Sequence, residues 1–61
     1  MQSESNERMY KVKEVAQRLR ISQATVLRLI ETGELRGVLR VGNQWRIPQS
    51  SLDDYVRRAS Q

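Results

Sequence analysis

The stretch "ISQATVLRLIETGEL" (residues 21–35) opens like a well-capped helix and stops at a glycine. Ser22 is a good N-cap, because its hydroxyl can accept from an amide of the first helical turn. Ile21 before it can staple onto Val26 inside the helix. Gly33 stands at the position where a helix commonly turns into left-handed backbone and ends. These signals predict a helix over residues 23–32. On a helical wheel with Gln23 at zero, Val26, Leu29 and Ile30 cluster between about 240° and 340°, while Ala24, Arg28 and Thr32 lie between about 100° and 180°. Gln23 and Thr25 stand at the N-terminal rim. The outward face is thus short and nearly uncharged, whereas a surface helix made only for solubility usually carries more Lys and Glu.

On the N-terminal side, Val12, Val15, Ala16 and Leu19 follow the i, i+3, i+4, i+7 stripe of a helix over residues 12–19. Lys11 is a poor cap for it; Glu14 suits the first turn and Lys13 does not. Only about three residues separate the two helices, too few for a relaxed antiparallel hairpin, which points to a helix-turn-helix. On the C-terminal side, "LRGVLRVGNQWRIP" (residues 35–48) is rich in β-branched residues around Gly42-Asn43. Glycine first in a two-residue turn fits a type II′ hairpin with strands over 38–41 and 44–47, closed by Pro48. The adjacent Val38 and Leu39 break the alternation and predict a bulge or an exposed Leu39. Finally Ser50-x-x-Asp53 resembles a capping box, and Leu52, Tyr55 and Val56 give a third helix over 51–59 with Arg57 and Arg58 near its end. The predicted fold is mainly α with a β-hairpin: a winged helix-turn-helix over residues 9–61, preceded by a polar, disordered tail over residues 1–8.

Sixty-one residues make one small domain. A chain of this size buries only about 60% of its unfolded surface, leaving little room to enclose an enzyme pocket of roughly 300 Å³ or more. There is no cysteine, so no disulfide staples the domain, and a reducing cytoplasm is the expected setting. No apolar run approaches a membrane span of roughly 18 residues, and the N-terminus lacks the apolar segment of a signal peptide. The formal charge is +4, from nine arginines and two lysines against seven acids. Residues 1–8 hold Glu4, Glu7 and Arg8, a net −1, so residues 9–61 carry +5. Basicity therefore belongs to the folded part and points to a polyanion such as nucleic acid.

A helix that enters a DNA major groove needs short or hydrogen-bonding side chains facing the base edges and an anchored back. Gln23 can pair with adenine N6/N7, Arg28 with guanine O6/N7, and the methyls of Ala24 and Thr25 can touch thymine. Dense charge on this face would bind phosphate everywhere and read little. The hairpin region, residues 33–48, adds Arg36, Arg40 and Arg46 against Glu34 alone, with Asn43 and Gln44 at its tip. Such a basic hairpin can lie along phosphates or in a minor groove. Trp45, the one tryptophan, is expected in the core rather than at a contact.

"YKVKEVAQRLRISQATVLRLIETGEL…VGNQWRIPQSSLDDYV" resembles the excisionase-type, MerR-like winged helix-turn-helix family. Glu14-Val15-Ala16, Ile21-Ser22, Thr25-Val26, Ile30, Gly33-Glu34-Leu35, Val41-Gly42, Trp45-Arg46-Ile47 and Leu52 fall in that family's order, over about residues 9–57. Lys11 replaces the usual helix-1 cap, and one residue is added between Leu35 and Gly42. The resemblance implies a recognition helix bearing Ser22, Gln23, Ala24, Thr25 and Arg28, and a wing bearing Arg36, Arg40, Asn43, Gln44 and Arg46. Lys13 and Arg20 would serve as further backbone contacts. It also implies a recombination directionality factor whose partners are double-stranded DNA, further copies of itself on adjacent sites and a site-specific integrase, expected to be a tyrosine recombinase. MerR-type regulators that form stable dimers carry a long coiled-coil helix after this domain; the chain ends at Gln61, which favours the excisionase branch. A small transcriptional regulator and a protein-binding adaptor are the competing readings.

An enzyme is not expected. There is no His and no Cys, and Asp53 and Asp54, neighbours on a helix, point about 100° apart and cannot act as one carboxylate pair. No metal-ligand cluster or phosphate-cradling glycine loop is present in the sequence, and no cofactor is expected.

Overall fold

The computed structural model describes residues 8–60. Its elements run β1 (Met9–Tyr10), α1 (Val12–Leu19), α2 (Gln23–Thr32), β2 (Leu39–Val41), β3 (Gln44–Pro48) and α3 (Gln49–Ala59). This is a winged helix-turn-helix, with both helices of the motif at the expected bounds. The tail expected over residues 1–8 lies outside the described residues apart from Arg8, whose carbonyl accepts from the Gln49 N–H at 2.9 Å.

The two helices of the motif are joined by a short turn through one non-glycine residue of left-handed backbone. Arg20 closes α1 at φ 60°, ψ 44°, its N–H reaching the Ala16 carbonyl. Ile21 N–H reaches the same carbonyl at 3.0 Å. This pairing satisfies the free carbonyl end of α1 and delivers the chain straight to the cap of α2. There Ser22 Oγ accepts from Thr25 N–H at 3.1 Å, as its residue type foretold. The start of α1 is repaired differently: Lys11 offers no side-chain cap, and instead the Glu14 carboxylate accepts from the Lys11 N–H at 2.8 Å.

Gly42 turns the hairpin at φ 61°, while Asn43 does not enter positive φ. One positive-φ residue, first in a two-residue turn, is the pattern of the expected type II′ connection. The register is continuous, Leu39 opposite Arg46, Arg40 opposite Trp45 and Val41 opposite Gln44. The broken alternation at Val38-Leu39 is therefore resolved by exposing Leu39, at 47% of its surface, and not by a bulge.

Two features depart from the sequence reading. The first is β1, which pairs antiparallel with β3 through Met9–Pro48 and Tyr10–Ile47 and makes the wing a three-stranded sheet in the order β1-β3-β2. The second is the start of α3. It begins at Gln49 with Pro48 as N-cap, so Ser50 lies inside the helix and not at the N-cap position that the expected Ser50–Asp53 capping box requires. The cause is tertiary: Gln49 ties the junction, accepting from Tyr10 Oη at 2.6 Å and donating to Asp53 Oδ1 at 3.0 Å.

The core joins all three helices to the sheet: Tyr10, Val15, Ala16, Val26, Leu29, Leu35, Ile47 and Leu52 are buried. Leu35, from the loop after α2, and Ile47, from the C-terminal part of β3, are enclosed almost completely. Trp45 meets its expected core role only halfway. It packs against the core from outside, half-buried, because its place beside the hairpin turn holds the indole at the margin of the space that Leu35 and Ile47 fill.

Candidate nucleic-acid interface

The outward face of α2 is set by its anchored back. Val26 and Leu29 are buried and Ile30 half-buried, so Gln23, Ala24 and Arg28 are exposed, as is the cap Ser22. Thr25 is half-buried, and its hydroxyl shares a hydrogen bond with Ser22 Oγ at 2.8 Å. Ser22 and Thr25 thus hold the first turn through each other, while Gln23 and Ala24 on that turn and Arg28 on the next are exposed on the outward face.

Between the start of α1, the N-terminal half of α2 and the tip of the wing lies an open groove of about 310 Å³. Lys11 and Lys13 line it from α1, Gln23 and Leu27 from α2, and Asn43, Gln44 and Trp45 from the wing. The fold therefore gathers four of the sequence-predicted contacts, Lys13, Gln23, Asn43 and Gln44, around one feature. The groove is lined by two amines and by no carboxylate.

The wing arginines divide between its two faces, because successive residues of a strand point to opposite sides. Arg40 shares a face with Trp45 and its guanidinium lies over the indole, 5.1 Å from the ring centroid. Arg46 lies on the other face, half-buried, its Nη1 donating to Gln44 Oε1 at 2.8 Å. Arg20 is exposed on the turn directly before α2. Arg36 is not brought to the groove. It lines a separate depression with Gly37, Ser50, Ser51 and Asp54, beside the start of α3 and a carboxylate.

Sequence reasoning passed over Leu27 and Lys11. Leu27 is 40% exposed in the groove. It stands four residues after Gln23, hence on the same side of the helix, and that spacing was the available signal. Lys11 was read only as a poor cap, though its apparent unfitness for that place was itself a sign.

Among the described residues, no group of three or more His, Cys, Asp or Glu side chains could hold a metal ion. No described helix is long and apolar enough to cross a membrane. No protein of curated function and no solved structure matches the chain. A family described as "Helix-turn-helix domain" does match it, over residues 9–60. That span begins at β1 and ends just past α3, so it takes in the turn at Arg20, the exposed face of α2 and the whole wing together. The chain belongs to this family of helix-turn-helix DNA-binding domains.

Proposed function

We propose that the chain is a sequence-specific double-stranded DNA-binding protein of the excisionase, or recombination directionality factor, type. In this reading α2 enters the major groove, where Gln23, Ala24, Thr25 and Arg28 meet base edges and Ser22 fixes the helix start. The wing follows the adjacent backbone or minor groove with Arg40, Asn43, Gln44 and Arg46. Arg20 and Lys13 contact phosphates. Arg36, placed beside α3, stands apart from these contacts. Copies load side by side on attachment-site DNA, bend it and allow an integrase of the tyrosine recombinase type to assemble the excisive complex, all in the cytoplasm. The work is mechanical, with no chemistry of the chain's own.

The observation that carries DNA reading is the pairing of a quiet, outward α2 face with a groove and wing lined by cations. The excisionase role rests on the ordered resemblance of residues 9–57 to that family. A small transcriptional regulator would share every DNA contact, and an adaptor on the same fold would make none that depend on sequence. The test is titration of the purified chain against its attachment-site duplex and a scrambled duplex, followed by an excision assay with the cognate integrase. Preference for the attachment site and stimulated excision support the proposal. Preference without stimulation, together with an altered promoter output, identifies the regulator. Equal or absent binding to both duplexes identifies the adaptor.

A further inference from the structure

We propose that the groove between α2 and the wing is the seat of one sugar-phosphate strand. Lys11 and Lys13 would hold its phosphates, and Leu27, Val12 and Trp45 would hold its deoxyribose faces. The inference rests on the DNA-binding reading and adds a site to it: Lys11, Val12, Leu27 and Trp45 acquire a ligand.

The argument begins with residue type. The chain holds nine arginines and only two lysines, and both lysines stand at the start of α1. That is an unfavourable place for them. A helix start prefers negative charge, and Lys11 occupies the N-cap, where a Ser, Thr or Asp would satisfy a free amide. Glu14 serves the Lys11 N–H at 2.8 Å and faces a different depression. Residues that oppose the local needs of the fold are expected where a ligand requires them. Both lysines line this groove, opposite the wing tip. Lysine is a compact charge on a flexible stem, suited to holding a phosphate without fixing its orientation.

The floor supplies the second argument. Leu27 is an exposed leucine on an otherwise polar helix face, and Trp45 and Val12 are half-buried beside it. The arrangement is an apolar floor with the amines of Lys11 and Lys13 on the α1 side and the amides of Asn43 and Gln44 at the wing tip, and no carboxylate in the lining. Its chemical complement has C–H surface alternating with negative charge at short intervals, as deoxyribose alternates with phosphate. Topology agrees: when one element lies in a major groove and the next in the adjacent minor groove, the backbone between them is the strand that separates the two grooves.

The test uses the full chain, a short duplex selected by it from a randomised pool, and a random duplex of equal length. Lys11→Gln and Lys13→Gln are each expected to weaken both duplexes by the same factor. Each should also reduce the slope of log K against log salt by about one. Their melting temperatures should hold or rise. Leu27→Ser is expected to weaken both duplexes several-fold with the salt slope unchanged. Neutral methylphosphonates placed singly along the selected duplex should reveal a position where the wild-type chain loses affinity and the lysine variants lose nothing more. If the lysine and Leu27 variants bind like wild type while Arg28→Ala still loses sequence preference, the groove proposal fails and the DNA reading stands. If poly-L-glutamate binding depends on the lysines and duplex binding does not, the groove belongs to an acidic polypeptide and the proposal again fails. If the wild-type chain binds neither duplex, the DNA reading falls and the proposal with it.

Discussion

Arg20 lies in the turn that makes this motif and Arg28 on the helix that follows it, and they put different demands on the fold. Arg28 is exposed on α2, in its second turn, with Leu29 buried next to it. If it pairs with a guanine, Arg28→Ala should cost about 1–3 kcal/mol on the preferred duplex and relax the preference at one position. Binding to random DNA should change far less. Equal losses on both duplexes would reduce Arg28 to a phosphate contact. Arg20 is the one non-glycine residue at positive φ among the described residues. For a residue with a Cβ, left-handed backbone costs roughly 1–2 kcal/mol, part of which glycine returns through its larger unfolded-state entropy. Arg20→Gly should therefore stabilise the domain by about 1 kcal/mol, raising the melting temperature by roughly 4–8 °C in a chain this small. The same variant should bind DNA more weakly. A gain in stability with unchanged affinity would mean that the Arg20 side chain touches nothing on the duplex.

The elements differ in how plainly the sequence announces them, and the difference is physical. α2 was legible because each of its signals is local: Ser22 caps it, Gly33 ends it, and the spacing of Val26, Leu29 and Ile30 sets its buried face. The hairpin was legible for the same reason, since Gly42 alone dictates the turn. β1 was not, because two residues cannot display an alternation; Met9 and Tyr10 become a strand only when Pro48 and Ile47 arrive from the far end of the chain. The start of α3 was misplaced on similar grounds, since the Tyr10–Gln49 hydrogen bond spans 39 positions. Of the candidate site, the exposed face of α2 followed from helical period, but the groove did not, because it is made by three elements at once. The locality of α2 has a testable side. Ser22→Ala removes a cap and also the hydroxyl that holds Thr25, and should cost about 1 kcal/mol. Melting should report that loss, and affinity should fall because the first turn of the reading helix frays. α3 anchors the other end of the motif: Arg58 donates to the Glu34 carbonyl just beyond α2 and to Asp54 Oδ2 at 3.1 Å. Arg58→Ala should lower the melting temperature more than Asp54→Asn, because it alone leaves the Glu34 carbonyl without its donor.

At the scale of the whole molecule, β3 is the member in contact with most of the other elements, while α2 packs on α1. It pairs with β1 on one side and β2 on the other, packs on α1, and runs without a loop into α3. Ile47, next to its C-terminal end, has no exposed surface. A buried Ile→Ala change costs about 2–5 kcal/mol. Stability of roughly 0.05–0.15 kcal/mol per residue gives a chain of this length only about 3–9 kcal/mol in total. Ile47→Ala should therefore abolish cooperative melting, or nearly so, and with it all DNA binding. The small size has a further consequence for binding. A single recognition module covers about 600–1,000 Å² of its own surface, and the proposed function adds neighbouring copies on the same DNA to that small area. If copies load side by side as proposed, a duplex carrying two adjacent sites should fill over a narrower concentration range than one carrying a single site. Moving the two sites apart by half a helical turn should remove that advantage, because the second copy would then face the opposite side of the duplex. Fluorophores at the duplex ends should approach each other only when both adjacent sites are filled. Independent filling at every spacing, with the ends no closer, would leave a lone DNA reader that cannot shape an attachment site, and would favour the regulator over the excisionase.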